Sequence, residues 1–253
     1  MINPMNLTDK RILVTGASSG IGRETSILLS KLGAHVIMIA RRLPQLEETF
    51  TNLEGTDHKY YSYDLSDTNG IDEYIQKVIS ENGKLDGFVH SAGVDSSRPL
   101  KMLKPDYVDE VMRINFYSFI EIVRCITKKG NFNEGMSIVG VSSVASLQGN
   151  QSKTVYCASK AAMDAAVRCM AKELSSKKIR VNTVMPGLIK TPIFDTFLDQ
   201  GLDSEDAKNV MARQYLGVGE TIDVANTIAF LLSNASKFVT GTSIAVDGGR
   251  LSS

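Results

Sequence analysis

The 253-residue chain has no tryptophan, only three cysteines and no formal net charge. Three widely separated cysteines provide neither the close pairs of a zinc site nor a disulfide framework, so we expect reduced thiols and no metal centre. Balanced charge without a block of one sign argues against a nucleic-acid partner. No apolar run approaches the length that crosses a bilayer, and the first ten residues lack the pattern of a signal peptide. We therefore expect a soluble cytoplasmic protein with no membrane partner.

Apolar residues make up 43% of the chain, which is enough for one large core. No linker rich in glycine, proline or serine divides the sequence, so we predict a single domain over 1–253. Short β-rich runs alternate with helical patterns, which is typical of a doubly wound parallel sheet with helices on both faces. A weaker run at 58–63 adds a seventh strand to six clear ones. The clear strand candidates are 11–15, 35–40, 85–90, 136–142, 180–185 and 243–246.

One stretch, 191–217, is longer than an ordinary connection between a strand and a helix. Long insertions in compact domains often act as lids over a site. In a substrate lid, Phe194, Phe197 and Leu198 would supply the apolar underside. A plain pair of surface helices is the alternative.

A glycine-rich segment, Thr15-Gly-Ala-Ser-Ser-Gly-Ile-Gly22, follows the first strand and opens the first helix. Gly16 permits the tight turn, Gly20 lets backbone approach a pyrophosphate, and Gly22 lets the helix pack closely on the sheet. The helix N-terminus attracts negative charge. This context favours a dinucleotide-binding loop over an ordinary glycine turn. The predicted loop contacts are Gly16, Ser18, Ser19, Gly20, Ile21 and Gly22.

The end of the second strand indicates which dinucleotide is bound. A free ribose 2′-hydroxyl is usually held by a carboxylate at this position, whereas a 2′-phosphate needs a cation. The strand ends with Ala40-Arg41-Arg42 and has no carboxylate there. Two guanidiniums match a phosphate in charge and in fork geometry. We therefore predict NADP(H) in preference to NAD(H), with two solvated arginines as the alternative.

Tyr156 and Lys160 lie four residues apart within a predicted helix at 152–175, so their side chains share one face. A cation about 4 Å from a phenol, at an effective dielectric constant of about 20, contributes on the order of 4 kcal/mol in favour of the phenolate. Such a pair can donate a proton if it lines a cavity. By itself, the spacing is far more often that of a half-buried tyrosine beside a solvated lysine.

Several motifs occur together and in a fixed order along the chain. They are the glycine loop at 15–22, Ser143, the pair Tyr156 and Lys160, and the dipeptide at 186–187. With them the chain resembles the short-chain dehydrogenase/reductase family over nearly its whole length, and it is similar to the 3-oxoacyl-acyl-carrier-protein reductases. The resemblance implies a single-domain Rossmann fold with a seven-stranded parallel sheet.

The resemblance also implies the catalytic roles. Tyr156 would be the general acid in carbonyl reduction and the general base in alcohol oxidation, and Lys160 would lower its pKa and bind the nicotinamide ribose. Ser143 would hold the substrate oxygen, and Asn115 would bind a water that links Lys160 to solvent. This division of labour suits a reaction that builds negative charge on oxygen.

The remaining cofactor contacts implied by the resemblance follow the later strands, beside the adenine, its ribose and the carboxamide. They are Asp64, Leu65, Ala92, Gly93, Pro186, Gly187, Ile189 and Thr191, together with Tyr156 and Lys160. One departure is that His90-Ser91 stands where the family usually has two asparagines that tie neighbouring strands together. We expect His90 to be able to make that tie through its ring nitrogens.

These features predict an NADP(H)-dependent oxidoreductase acting on a carbonyl or a secondary alcohol. A 3-oxoacyl thioester on an acyl carrier protein is one substrate candidate, for which the basic pairs 128–129 and 177–178 could bind the acidic carrier. A sugar, a polyol or a small ketone is the alternative. A non-catalytic dinucleotide-binding regulator is the alternative from another class, although such relatives usually lack the tyrosine or the lysine. The segment 241–249 resembles the last strand through which the family forms homotetramers.

Overall fold

The computed structural model describes residues 3–194 and 211–253, and its centre is a sheet of seven strands. All neighbouring strands run parallel, in the order β3-β2-β1-β4-β5-β6-β7. The strands are β1 Arg11–Thr15, β2 His35–Ala40, β3 Lys59–Ser62, β4 Leu85–His90, β5 Phe132–Val141, β6 Arg180–Pro186 and β7 Ser243–Val246. The predicted seven-stranded parallel sheet is confirmed.

Helices connect the strands and cover the sheet. Within the described ranges they are α1 Gly20–Lys31, α2 Leu43–Thr51, α3 Ile71–Asn82, α4 Pro105–Met112, α5 Ser118–Ile126, α6 Thr154–Glu173 and α7 Thr221–Leu232. A π-helical turn, Arg113–Tyr117, joins α4 to α5. None of the helices in the described part of the chain is long and apolar enough to cross a membrane.

The core consists of two apolar layers, one on each face of the sheet. Successive strand residues point to opposite faces, so Leu13 packs with α3, α5 and α6, whereas Ile12 and Val14 pack with α1, α2 and α7. All three strand residues are at most 1% exposed. A sheet buried on both faces explains why its strands are continuous apolar runs.

The predicted element bounds agree with the structure to within one residue except at the start of β5 and at both ends of α6. β5 begins at Phe132 instead of residue 136, because Gly135 bends the strand with a φ of 83° and the pairing with β4 shifts register between Leu85 and Gly87. α6 ends at Glu173, and Lys178 then takes a left-handed conformation with a φ of 56°. A single residue with a positive φ, or a shift of strand register, does not change the pattern of apolar residues enough to be predicted from the sequence.

The strand order places the functional loops at one edge. The chain leaves β1 in one direction along the sheet and returns on the other side at β4, so a crevice opens between the carboxyl ends of these two strands. The loops that follow β1, β2, β4, β5 and β6 all end there. The predicted lid at 191–217 falls mostly outside the described residues, and Phe197 and Leu198 are among those outside.

Candidate active site

A cavity of about 820 Å³ lies along the carboxyl edge of the sheet. Its wall includes nearly all the residues that the sequence assigns to the cofactor. These are Gly16, Ser18, Ser19, Gly20, Ile21, Arg41, Arg42, Asp64, Leu65, Ala92, Gly93, Tyr156, Lys160, Pro186, Gly187, Ile189 and Thr191. Gly22 lies behind the wall, where a β-carbon would overlap the carbonyl oxygen of Gly16. Its role is the predicted close packing of loop and helix.

The loop after β1 fits a pyrophosphate. Gly16 and Gly20 have positive φ angles of 68° and 54°, which favour glycine, and a β-carbon on Gly16 would lie 2.7 Å from the backbone nitrogen of Ala92. α1 begins after Ser19 with no side-chain cap and no acidic residue in its first turn. The first N–H groups of the helix are therefore available to an anion.

Two arginines follow β2 and line the end of the cavity that is predicted to hold the adenosine. Arg42 Nη2 donates a hydrogen bond of 2.8 Å to Ser19 Oγ, which holds this guanidinium against the phosphate loop. Arg41 Nη1 lies 3.5 Å from Asp64 Oδ2. Asp64 follows β3 and also accepts a hydrogen bond from the Ser66 backbone N–H. This end of the cavity thus carries two cations, which follow β2, and one carboxylate, which follows β3.

Tyr156 and Ser143 meet at the wall of the cavity beyond the glycine loop. Burial raises the pKa of Tyr156 to about 12; a hydrogen bond with Ser143 lowers it, and the charges of Asp95 and Cys157 add to the rise. Ser143 Oγ also accepts a hydrogen bond of 3.1 Å from the Ala145 backbone N–H, which fixes the hydroxyl at the end of β5. The phenol is therefore protonated near neutral pH.

Lys160 is 5% exposed, and its Nζ lies 5.8 Å from the centre of the Tyr156 ring. Nζ donates a hydrogen bond of 2.8 Å to the Val141 carbonyl oxygen. Burial lowers the pKa of Lys160 to about 8, against the opposing charges of Asp164 and Asp95. In the protein alone, the pKa of Tyr156 is raised and not lowered, so burial outweighs any lowering by Lys160. The physical reason is that burial acts on both groups and disfavours the charged form of each.

Asn115 lies in the π-helical turn and is fully buried. Its Oδ1 accepts a hydrogen bond of 2.8 Å from Val94 N, and its Nδ2 donates to the Val94 carbonyl oxygen and to Ser159 Oγ, both at 3.0 Å. A β-carbon on Gly93 would lie 3.3 Å from Asn115 Oδ1 and 3.4 Å from Lys160 Nζ. Asn115 is thus next to Lys160 as predicted, but its amide is already bonded to protein groups. The predicted water would have to bind elsewhere on this residue.

His90 ties neighbouring elements together, as the sequence predicts for this departure from the family pattern. Its Nδ1 lies 3.0 Å from Thr15 Oγ1, and its Nε2 lies 3.5 Å from Ser118 Oγ. Burial and the nearby Lys160 lower the pKa of His90 to about 3. The neutral ring lies in the core and is not part of the cavity wall.

Three polar residues of the site region have no signal in the sequence. Gln214 is buried, donates 2.9 Å to the Leu188 carbonyl oxygen and accepts 2.8 Å from Leu188 N, so it holds the loop after β6. Arg213 and Arg250 line the cavity. Each stands alone in its local sequence, and only the fold brings them to the site. Among the described residues, no group of three or more His, Cys, Asp and Glu side chains could hold a metal ion.

The sheet, its switch point and the glycine loop define a Rossmann-type α/β protein. A family model described as enoyl-(acyl carrier protein) reductase matches residues 16–250. The chain is 34% identical to 3-oxoacyl-acyl-carrier-protein reductase FabG of Thermotoga maritima over 97% of its length and 99% of that protein. It is 35% identical to L-xylulose reductase of Caenorhabditis elegans over 96% of each chain.

A solved structure supports the same assignment. A short-chain dehydrogenase from Burkholderia cenocepacia J2315, in complex with NADP, has a TM-score of 0.89 and 27% identity, covering 97% of this chain and 99% of the other. The chain belongs to the short-chain dehydrogenase/reductase family, as its motifs predict, and is similar to the 3-oxoacyl-acyl-carrier-protein reductases. It is therefore an oxidoreductase whose cofactor is a nicotinamide dinucleotide.

Proposed function

We propose that the protein is an NADP(H)-dependent oxidoreductase that interconverts a carbonyl compound and a secondary alcohol. The observation that carries the proposal is the meeting of Ser143, Tyr156 and Lys160 at the wall of the cavity that begins at the glycine loop. A bound nicotinamide dinucleotide supplies the hydride for reduction. The chain's own groups have to bind the substrate, aim it and provide the proton.

The proposed roles follow from the geometry of the hydroxyl pair. Ser143 donates a hydrogen bond to the substrate oxygen, and Tyr156 gives its proton to the same oxygen as negative charge develops there. Because the pKa of Tyr156 is raised to about 12, the acid form is fully populated at neutral pH. The phenol can therefore act as a general acid without first gaining a proton.

Lys160 and Asn115 would assist this proton transfer without contacting the substrate oxygen. The Lys160 ammonium, held by the Val141 carbonyl oxygen, would bind the cofactor ribose and return a proton to Tyr156. Asn115 fixes the backbone after β4, where Ala92 and Gly93 pass beside the cofactor. The glycine at position 93 leaves the space between Asn115 and Lys160 open.

The preference for NADP(H) is supported by the charge at the end of β2. Arg41 and Arg42 line the cavity, and Arg42 is fixed next to Ser18 and Ser19. A 2′-phosphate at this position would have two guanidinium groups within the same wall. The related Burkholderia cenocepacia enzyme, which binds NADP, is consistent with this preference.

The similar proteins include a 3-oxoacyl-acyl-carrier-protein reductase and an L-xylulose reductase. Two substrate classes are therefore candidates, a 3-oxoacyl thioester and a sugar or small ketone. The basic pairs proposed for a carrier protein are largely used within the chain. Lys128 pairs with Asp72 at 2.6 Å, Lys177 donates to the Thr127 carbonyl oxygen at 3.1 Å, and Lys178 pairs with Glu134 at 2.5 Å. Three of the four lysines thus already have partners within the chain, which reduces the support for a carrier-protein surface.

The experiment that tests the function is an assay of NADPH oxidation with a 3-oxoacyl thioester, an enoyl thioester, a ketose, a polyol and small ketones. The enoyl thioester is included because the family model carries that description. We expect carbonyl turnover with NADPH that Tyr156→Phe lowers by orders of magnitude. A wild-type protein that binds NADPH but is inert across the panel would favour the non-catalytic regulator instead.

We further propose a single-domain cytoplasmic enzyme that assembles as a homotetramer. The support for assembly is the similarity of residues 241–249 to the strand through which family members associate, and this segment contains β7 at one edge of the sheet. Light scattering at assay concentration is the direct measurement. A monomer would contradict the assembly without affecting the proposed chemistry.

A further inference from the structure

Two arginines of the cavity wall have no part in the mechanism above. Arg250 follows β7, and Arg213 precedes α7, yet both line the same cavity as Tyr156. In the strand order, β7 is the edge strand beyond β5 and β6, whereas β2 with its two arginines lies on the other side of β1. Arg213 and Arg250 are therefore at the substrate end of the cavity and far from the adenosine end.

Arg250 is built into the wall by the loop that carries Ser143. The residue is 7% exposed. Its Nε donates a hydrogen bond of 3.2 Å to Gln148 Oε1, and Gln148 Nε2 donates one of 3.4 Å to the Arg250 carbonyl oxygen. This reciprocal pair joins the turn after β7 to the loop after β5. The guanidinium is thus held in place before any ligand arrives.

Arg213 reaches the same place on a segment that is fastened to the turn after β7. Tyr215 donates its hydroxyl to the Ser252 carbonyl oxygen at 3.1 Å, and the Leu216 N–H donates to the Gly248 carbonyl oxygen at 3.2 Å. The charge of Arg213 is close enough to lower the pKa of Arg250, after the larger effect of burial. Two like charges are therefore held near each other on one wall.

Neither arginine has an anionic partner among the residues that the structure describes. No carboxylate there lies within ion-pair distance of either guanidinium. The charge of Asp247 opposes the lowering of the Arg250 pKa, but its two carboxylate oxygens accept hydrogen bonds from the backbone N–H groups of Gly249 and Leu251. Asp95, also on the cavity wall, pairs with Lys153 at 2.5 Å. Among the residues that the structure describes, this end of the cavity therefore carries an excess of positive charge.

A buried guanidinium without a counter-ion is unfavourable for the folded protein and becomes favourable when an anion binds it. Two guanidiniums offer several N–H donors in a planar arrangement that matches a carboxylate or a phosphate. A neutral polyol or ketone can accept hydrogen bonds from these groups but brings no negative charge to balance them. The arrangement therefore has the properties of a recognition site for an anion.

We propose that Arg250 and Arg213 bind an anionic group of the substrate whose carbonyl meets Ser143 and Tyr156. This inference rests on the proposed oxidoreductase function and narrows its substrate class to carbonyl compounds that carry a carboxylate or a phosphate. Arg250 is the fixed half of the site, and Arg213, which is exposed, is the half that solvent reaches.

The test compares matched pairs of substrates that differ in one charge. Oxo acids of increasing chain length are assayed with NADPH beside their methyl esters, and dihydroxyacetone phosphate beside dihydroxyacetone. In one series we expect kcat/KM for the anion to exceed that for its neutral partner by about 10- to 100-fold, the range of a charge-assisted hydrogen bond. Which series shows the preference distinguishes a carboxylate from a phosphate.

Three substitutions assign the preference to the site. Arg250→Gln is expected to bring the ratio of anion to neutral substrate close to one, Arg213→Gln to lower it in part, and Arg250→Lys to restore a part of it. Arg168→Gln removes an exposed arginine of α6 outside the cavity and should keep the wild-type ratio. Because Arg213 is exposed, its variant is expected to fold even if Arg250→Gln does not.

Calorimetry of the same anions with the dinucleotide-bound protein separates binding from turnover. Anion binding that Arg250→Gln abolishes supports the site even if no carbonyl is reduced, in which case the oxidoreductase proposal fails alone. Anions that bind and react no better than their neutral partners in every series overturn the site, as does an anion preference that survives in both Arg250→Gln and Arg213→Gln.

Discussion

The Nδ1 atom of His90 lies 3.0 Å from the hydroxyl oxygen of Thr15, and this contact ties the end of β4 to the end of β1. Ser118 Oγ donates its own hydrogen to the Ile114 carbonyl oxygen at 2.7 Å. It can therefore only accept from His90 Nε2, which leaves Nδ1 to accept the Thr15 hydroxyl hydrogen. A second proton on the ring would remove that acceptor. The side-chain contact between the ends of β1 and β4 is therefore made by a neutral histidine.

A loss of stability in mild acid follows from the position of His90. Its pKa is about 3 in the folded protein and about 6.5 in an unfolded chain. The unfolded chain binds the proton first, so the stabilisation is fully present above pH 6.5 and is lost progressively as the pH falls towards 3. Between pH 7 and pH 5, wild type should lose about 2 kcal/mol more than His90→Asn. Urea unfolding at the two pH values checks this, and equal losses in both proteins contradict it.

Cofactor preference should depend on Arg41. Replacing it by aspartate removes a cation and adds a charge that repels a 2′-phosphate, so we expect KM for NADPH to rise by about 10- to 100-fold. KM for NADH should change much less, because its ribose hydroxyl has no charge to lose. Arg168→Asp is the matched control away from the cavity. Equal changes for both dinucleotides after Arg41→Asp would remove the argument for NADP(H).

Proton donation should depend on Tyr156 and not on its neighbour Cys157. Tyr156→Phe keeps the ring and removes the acid, so we expect kcat to fall by about 10²- to 10⁴-fold while NADPH binding is retained. Cys157→Ser, one residue away, is expected to keep wild-type kcat. Stopped-flow and steady-state NADPH assays provide both values. A large loss in Cys157→Ser would point to a thiol nucleophile instead.

Two glycine substitutions should reveal how much the close contact between the loops after β1 and β4 affects the free energy of unfolding. Gly16 and Gly130 both have a positive φ, but a β-carbon on Gly16 would lie 2.7 Å from Ala92 N, whereas one on Gly130 meets nothing within 4 Å. Gly130→Ala should cost about 1 kcal/mol of unfolding free energy from backbone strain. Gly16→Ala should cost a further 1 to 3 kcal/mol, roughly, because two backbones must move apart. Equal costs in chemical denaturation would show that the close approach is relaxed in solution.

Much of the site could be predicted because its parts follow strands that are recognisable in the sequence. The glycine loop follows β1, Arg41 follows β2 and Ser143 follows β5, so the fold itself brings them to one edge. The charge state of Tyr156 could not be predicted, because its pKa depends on burial by elements distant in the chain. The place of Arg250 in the cavity wall could not be predicted either, because its hydrogen-bond partner Gln148 is 102 positions away in the sequence.

Asn115 and Gln214 have the same structural role in two loops, one after β4 and one after β6. Each uses one side-chain amide to bond both the N–H and the carbonyl oxygen of a single residue, Val94 beyond β4 and Leu188 beyond β6. An amide in that position makes the same two hydrogen bonds as the backbone of an adjacent strand. Each amide therefore extends the hydrogen bonding of the sheet by one residue pair beyond the end of the strand. The two loops on either side of the Ser143 loop are thereby set by the sheet's own geometry. The backbone hydrogen-bonding pattern of the sheet therefore also fixes the positions of these loops, although the loops lie beyond the ends of the strands.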